Sequence, residues 1–279
     1  MTSSDPATIF LTGSSGLVGS SVLRKVRGRT DFRVVPLTRG EMLPATRSSA
    51  DALLLHAAWP PGDQSSWEDF LQWSLRLRSS AAERGIWFVA LGSGVEVYAQ
   101  RPDLKEPYQS YSRRKVELKN ALDEARVDRL AWIRLHFMFG PGEKPSRLVP
   151  AAIRAGLAGE TFSCGSLDRR RRWLQVDDQA DYLLRFLSAP EEGVWDIAGR
   201  YDVSFRDLLE LVGRAIRRKL QVKECDGPVP DSALEAIVPE RMAGVVPASA
   251  GSPESLLGRL GEYAQQLTGA STASGVRAG

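Results

Sequence analysis

Ile9-Phe-Leu-Thr12-Gly-Ser-Ser-Gly16-Leu-Val-Gly19-Ser-Ser-Val-Leu-Arg-Lys-Val26 is the stretch that decides the fold. The apolar run Ile9 to Thr12 ends in a glycine-rich turn, and Leu17 to Val26 then takes helical spacing with Arg24 and Lys25 near its end, which predicts strand, turn and helix. In that setting Gly13, Gly16 and Gly19 let backbone amides approach a pyrophosphate, with the positive end of the helix dipole facing the anion. Thr12, Ser14, Ser15, Leu17 and Val18 complete the loop. A glycine pattern alone is weak and could be a structural turn; standing between a first strand and a first helix, it favours a dinucleotide loop.

Working outward, Phe32 to Leu37, Ala52 to His56, Trp87 to Leu91 and Leu130 to Leu135 read as mostly apolar strands suited to a sheet buried on both faces. Trp67 to Glu83 and Tyr111 to Ala125 read as helices between them. This alternation predicts an α/β fold, a Rossmann-type doubly wound parallel sheet, over residues 1–140. From Gly140 prolines break the rhythm, and a smaller C-terminal substrate-binding lobe is expected over 141–268, with part of the chain returning to the first domain near 173–200. Within this part Val149 to Leu157 is helix-like, Val194 to Ala198 is a short strand, and Ser204 caps a helix to Arg217. Residues 269–279, rich in Ala, Ser and Gly, read as a disordered tail.

At 279 residues, 43% hydrophobic and 25% charged, the chain is long enough for a substantial core and ordinary for a soluble globular protein. Its 37 basic and 34 acidic residues leave a net charge of +3, too weak a field to suggest nucleic-acid binding. Arg169 to Arg172 form the densest basic run, which a solvated face explains as well as a ligand does. Cys164 and Cys225 fit no metal-ligand spacing, so no metal is expected, and a distant pair is no disulfide framework. With no signal-peptide pattern and no apolar stretch near the ~20 residues that span a bilayer, a cytoplasmic location without membrane contact is expected.

The residue that reads the adenosine ribose is expected ~20 residues past the loop, at the end of the second strand. Arg39 stands there, and a guanidinium suits a 2′-phosphate, so NADP(H) is preferred and NAD(H) remains possible. The alternative is a solvated strand-end charge. Tyr111 and Lys115, four apart, share one helix face, where an ammonium eases ionisation of the phenol as proton transfer requires.

The combination resembles the extended short-chain dehydrogenase/reductase family over roughly Ile9 to Lys219. Thr12-Gly-x-x-Gly-x-x-Gly19 is similar to its cofactor loop, Tyr111-x-x-x-Lys115 to its catalytic pair, and Leu54-Leu-His56-Ala57-Ala58 to the strand over which it passes the cofactor. Arg134-Leu-His136-Phe137-Met-Phe-Gly-Pro-Gly-Glu143, Arg147-Leu-Val-Pro150 and Trp173-Leu-Gln-Val-Asp-Asp178 resemble the sugar-nucleotide-modifying epimerase/dehydratase branch, and His56-Ala-Ala-Trp-Pro-Pro-Gly62 its reductases and epimerases of glycan and antibiotic-sugar clusters.

The resemblance implies that Tyr111 is the general acid/base and that Lys115 orients the nicotinamide ribose. A hydroxyl after the fourth strand would bind the substrate oxygen; one alignment puts Gly94 there and another Ser93, and Ser93 is taken. The adjacent Asp-Glu pair of the family's dehydratases is Val95-Glu96 here, which argues against dehydration. The usual asparagine is Phe137 and the usual Arg-Asp is Arg171-Arg172. Glu96, His136, Phe137, Arg147 and Arg171 are the candidate substrate contacts, the two arginines for a diphosphate, with surface charge as the alternative. The implied activity is an NADPH-dependent ketoreductase of a nucleotide-linked keto-deoxysugar. The alternatives are an epimerase or a dinucleotide-binding protein without chemistry. Family members commonly pair through the Tyr/Lys helix, so a homodimer is expected.

Overall fold

A computed structural model of the chain describes residues 6–44, 52–60, 64–100, 108–124, 128–225 and 237–275. The chain forms β1 (Ala7–Thr12), α1 (Leu17–Val26), β2 (Phe32–Leu37), β3 (Leu53–His56), α2 (Gln64–Glu83) and β4 (Trp87–Ser93). A 3-10 turn (Gly94–Tyr98), α3 (Tyr108–Glu124) and β5 (Leu130–Leu135) follow. Next come β6 (Met138–Phe139), α4 (Leu148–Ala158), β7 (Thr161–Cys164), β8 (Arg170–Arg171), β9 (Leu174–Gln175) and α5 (Val176–Leu187). The chain continues through β10 (Gly193–Ile197), β11 (Val203–Ser204), α6 (Phe205–Ala215), β12 (Gln221–Glu224) and α7 (Pro253–Gly275).

Two compact units result, Met1–Leu135 with Gln179–Ile197 and Pro239–Val245, and His136–Asp178 with Ala198–Val238 and Val246–Gly279. The first carries a six-stranded parallel sheet in the order β10-β5-β4-β3-β1-β2. Strand residues of both parities are buried: Phe10, Leu54 and Phe88 join a cluster with Trp67, Phe70, Trp73 and Leu118, while Ile9, Leu11, Leu53, Leu55 and Val89 bury the opposite face. A parallel sheet needs cover on both faces, which is why its strands read as continuous apolar runs. The chain leaves β1 for β2 on one side and returns to β3 on the other, so a crevice opens at the carboxyl ends of β1 and β3.

Among the described residues the second unit has three two-stranded sheets, β6 with β9, β7 with β12, and β8 with β11. Its core joins Val149 and Ile153 of α4, Leu208 and Val212 of α6, and Leu256, Leu260 and Tyr263 of α7. Ser204 caps α6 as its sequence predicts, accepting from the Asp207 amide at 3.0 Å.

The structure departs from the sequence reading in several places. Two stretches return to the first unit, and the second, Pro239–Val245, had no signal because it docks through backbone bonds: Asp196 N donates to Arg241 O at 2.7 Å and Ala243 N to Asp196 O at 2.9 Å. Residues 269–275 continue α7, an extension of a helix already fixed by packed residues, where a disordered tail was expected. Helices α5 and α7 carried a legible period, with Val176, Ala180, Leu183, Leu184 and Leu187 buried in the first and Leu256, Leu260, Tyr263 and Ala264 in the second. Ala125 and residues 276–279 lie outside the described residues. Among the described residues no helix is long and apolar enough to cross a membrane.

Candidate active site

The glycine loop occupies the crevice at the end of β1, and its three glycines answer to different constraints. Gly13 has φ +71°, and a Cβ there would fall 2.6 Å from Ala58 N and 2.7 Å from Ala57 O, so the turn and the end of β3 both require glycine. A Cβ on Gly19 would lie 2.1 Å from Gly13 O, because α1 starts directly against the turn. Gly16 is exposed, has φ −73°, and a Cβ there would meet Gly13 O alone, at 3.3 Å. At position 16 the backbone conformation suits any residue, and the tight approach to Gly13 O asks the turn to give by only a few tenths of an ångström, so the smallness of Gly16 also fits the close approach of a ligand. As N-cap of α1, Gly16 brings no side-chain oxygen, and no acid stands in the first turn, which leaves this helix end favourable to an outside anion. The loop fits a dinucleotide pyrophosphate.

Thr12 and His56 tie the loop to the crevice's other wall. The buried Thr12 Oγ1 accepts from Ala58 N at 3.2 Å and lies 2.9 Å from His56 Nδ1, while His56 Nε2 lies 3.0 Å from Ser74 Oγ, whose proton goes to Phe70 O at 2.7 Å. Ser74 can then only accept, so His56 donates from Nε2 and takes the Thr12 proton at Nδ1. That arrangement suits a neutral imidazole, and burial, aided by the charge of Lys115, pushes His56 down to about 3. His56 thus holds the ends of β1 and β3 together, and the Ala57–Ala58 backbone lies directly against Gly13.

Helix α3 is fastened to β4 and the 3-10 turn by two bonds, Lys115 Nζ to Leu91 O at 2.7 Å and Ser112 Oγ to Val95 O at 2.9 Å. They bring Tyr111 and Lys115 to the strand end that carries Ser93, with Lys115 Nζ 5.8 Å from the Tyr111 ring centroid. Lys115 is buried; desolvation pushes it down to about 7, and the Glu96 carboxylate works against that shift.

Glu96 itself is 4% exposed. Its carboxylate pairs with the Arg134 guanidinium, accepts from Trp132 Nε1 at 3.0 Å and takes the Ser93 amide at 3.3 Å. Those bonds make it the anchor of the Ser93 turn; no open carboxylate is left for the substrate contact its sequence position suggested. Arg39 is exposed at the end of β2, where the neighbouring Glu41 carboxylate is turned onto the Thr38 amide at 2.6 Å.

The remaining candidates belong to the second unit. His136 is buried, and Phe137 packs on Trp173 with ring centroids 5.6 Å apart. The buried Arg171 lies 4.7 Å from the Phe137 centroid and donates to Arg170 O at 2.7 Å. Arg147 is 59% exposed and pairs with Glu143 at 3.3 Å; burial pushes the Glu143 carboxyl up to about 7. One residue that sequence reasoning passed over belongs to the Tyr/Lys site. Trp59, which directly follows His56-Ala57-Ala58, places its ring 4.0 Å from Lys115 Nζ and 5.0 Å from the Tyr111 ring. Its signal was a large aromatic where the strand leaves the sheet into the crevice.

A family model described as the NAD dependent epimerase/dehydratase family matches residues 49–198. Among solved structures the chain is similar to UDP-N-acetylglucosamine 4-epimerase from Methanobrevibacter ruminantium M1, at 16% identity and TM-score 0.70, covering 95% of this chain and 99% of that one. It is also similar to RMD from Pseudomonas aeruginosa, a complex with NADPH, at 19% identity and TM-score 0.67, covering 93% and 99%. A third is dTDP-4-dehydrorhamnose reductase from Yersinia enterocolitica, at 17% identity and TM-score 0.67, again covering 93% and 99%. At these identities the likeness establishes a shared fold. No curated protein matches the chain.

Proposed function

The chain belongs to the NAD dependent epimerase/dehydratase family and is an NAD(P)-dependent enzyme, and from that premise we propose that it reduces a keto group of a nucleotide-linked deoxysugar, with NADPH as reductant. The observation that carries this reading is the Tyr111–Lys115 pair, pinned to the end of β4 beside the glycine crevice. A bound nicotinamide would supply the hydride. Tyr111 gives its phenol proton to the oxygen of the carbonyl as hydride reaches the carbon, and Lys115 offsets the charge left on the phenolate. Ser93, held by its amide to Glu96, offers its hydroxyl to the same oxygen.

Thr12 through Gly19 would hold the pyrophosphate. Arg39 would meet a 2′-phosphate, a preference supported by its exposure and by the engagement of Glu41 with the Thr38 amide. His136, Phe137, Arg147 and Arg171 are the further proposed contacts to the sugar nucleotide, with the arginines on its diphosphate. The protein is proposed to act in the cytoplasm as a homodimer, which light scattering on the purified chain tests.

The test is NADPH oxidation against a panel of keto-sugar nucleotides. Stoichiometric oxidation is expected, and its absence across the panel counts against the reductase. Tyr111→Phe is expected to lower turnover at least ~100-fold while cofactor affinity stays nearly unchanged. The 4-epimerase among the structural neighbours favours a second reading, in which one carbon is oxidised and re-reduced on a retained cofactor; interconversion of two sugar nucleotides without net NADPH consumption is its signature.

A further inference from the structure

We propose that Trp59 is a positioning residue of the Tyr/Lys site, its indole face holding the Lys115 ammonium charged and in place beside the phenol; the inference rests on the roles given above to Tyr111 and Lys115. An ammonium taken out of water needs compensation for three N–H donors and a full charge. Among the described residues, the one hydrogen bond of Lys115 Nζ is to Leu91 O at 2.7 Å. The nearby carboxylate, Glu96, is spent on Arg134, Trp132 and the Ser93 amide, so its attraction reaches Lys115 without a direct bond. The other titratable groups facing the ammonium are His56 on β3, which is neutral, and Tyr111 on α3, whose charge is what the reaction changes.

The face of Trp59, 4.0 Å from Nζ, supplies the missing partner, since indole is the best of the aromatic faces for a cation and the interaction strengthens where water is excluded. The ring is itself held in place. It packs on Trp67 and Phe70 with centroids 5.6 and 6.0 Å away, and those two are 2% and 1% exposed members of the core between sheet and α2. Its other contact is edgewise to Tyr111 at 5.0 Å and 64°. One rigid aromatic therefore touches both members of the pair and fixes their separation.

The test follows the Lys115 side chain by NMR in protein carrying 13C-lysine, with the resonance assigned by its loss in Lys115→Met. Titration needs neither substrate nor cofactor. Trp59→Leu is expected to lower the Lys115 midpoint by about one pH unit, and Trp59→Phe, which keeps a ring face, by roughly half as much or less. Where Trp59→Leu fails to fold, wild-type chain grown with ring-fluorinated tryptophan replaces it, because fluorine drains the ring face of negative potential at nearly constant shape; the same downward shift is expected. In kcat/KM the alkaline limb of the pH profile moves down with the midpoint. An unchanged midpoint in the Leu variant or the fluorinated protein overturns the proposal. Full turnover in Tyr111→Phe would instead overturn the enzymatic reading, leaving the Lys115 titration to be judged by itself.

Discussion

Lys115 shows what a reacting group costs the fold. Burial drives its ionisation down to about 7, from 10.5 in an unfolded chain, so between those values the unfolded state binds more protons and stability rises with pH. At and below pH 7 the folded protein bears the full cost of a buried ammonium, set against the bond to Leu91 O and the Trp59 face. Lys115→Met, close in volume, is therefore expected to abolish turnover while raising Tm by roughly 2–4 °C at pH 7. The gain shrinks toward zero as pH approaches 10.5. Calorimetry across that range checks it, and a lowered Tm at pH 7 would show that the two attractive partners outweigh desolvation.

The loop between β1 and α1 separates residues kept for the fold from residues kept for the ligand. Gly19→Ala drives a Cβ to 2.1 Å from a backbone oxygen, which side-chain motion cannot relieve. We expect it to destabilise by more than about 3 kcal/mol, as a backbone clash in a tight turn does, or to prevent folding. Gly16→Ala meets one contact at 3.3 Å at an unstrained φ of −73°. It is expected to keep urea stability within ~1 kcal/mol and to weaken NADPH binding at least ~10-fold, read by fluorescence titration. Equal losses of stability in the two variants would mean that Gly16, too, serves the turn.

For the whole molecule the consequence lies in connectivity. The first unit is assembled from three stretches, and β10 with most of α5 reaches it from beyond the second unit's first segment. Leu183, Leu184, Leu187 and Ile197 are all at most 2% exposed there, and β10 closes one edge of the sheet on β5. A fragment of residues 1–135 holds the glycine loop and the Tyr/Lys pair yet lacks that cover. It is expected to show no cooperative urea transition, because one edge of its sheet and the part of a face packed by α5 would stand uncovered; a sharp transition monitored by circular dichroism would refute this.

Local chemistry fixed what was readable from the chain. Apolar runs, helical periods and the glycine spacing carry the parallel sheet, the dinucleotide loop and the Tyr111/Lys115 face, since each depends on neighbours within a few residues. The periods of α5 and α7 were equally available. What tertiary structure alone decided involves partners far apart in sequence: Glu96 becomes an anchor because Arg134 and Trp132 arrive from β5, His56 stays neutral because the fold buries it near the Lys115 charge, and Trp59 meets Lys115 across 56 positions. A side chain's type is written in the sequence, but whether its charge or hydroxyl remains available depends on which distant group has already claimed it.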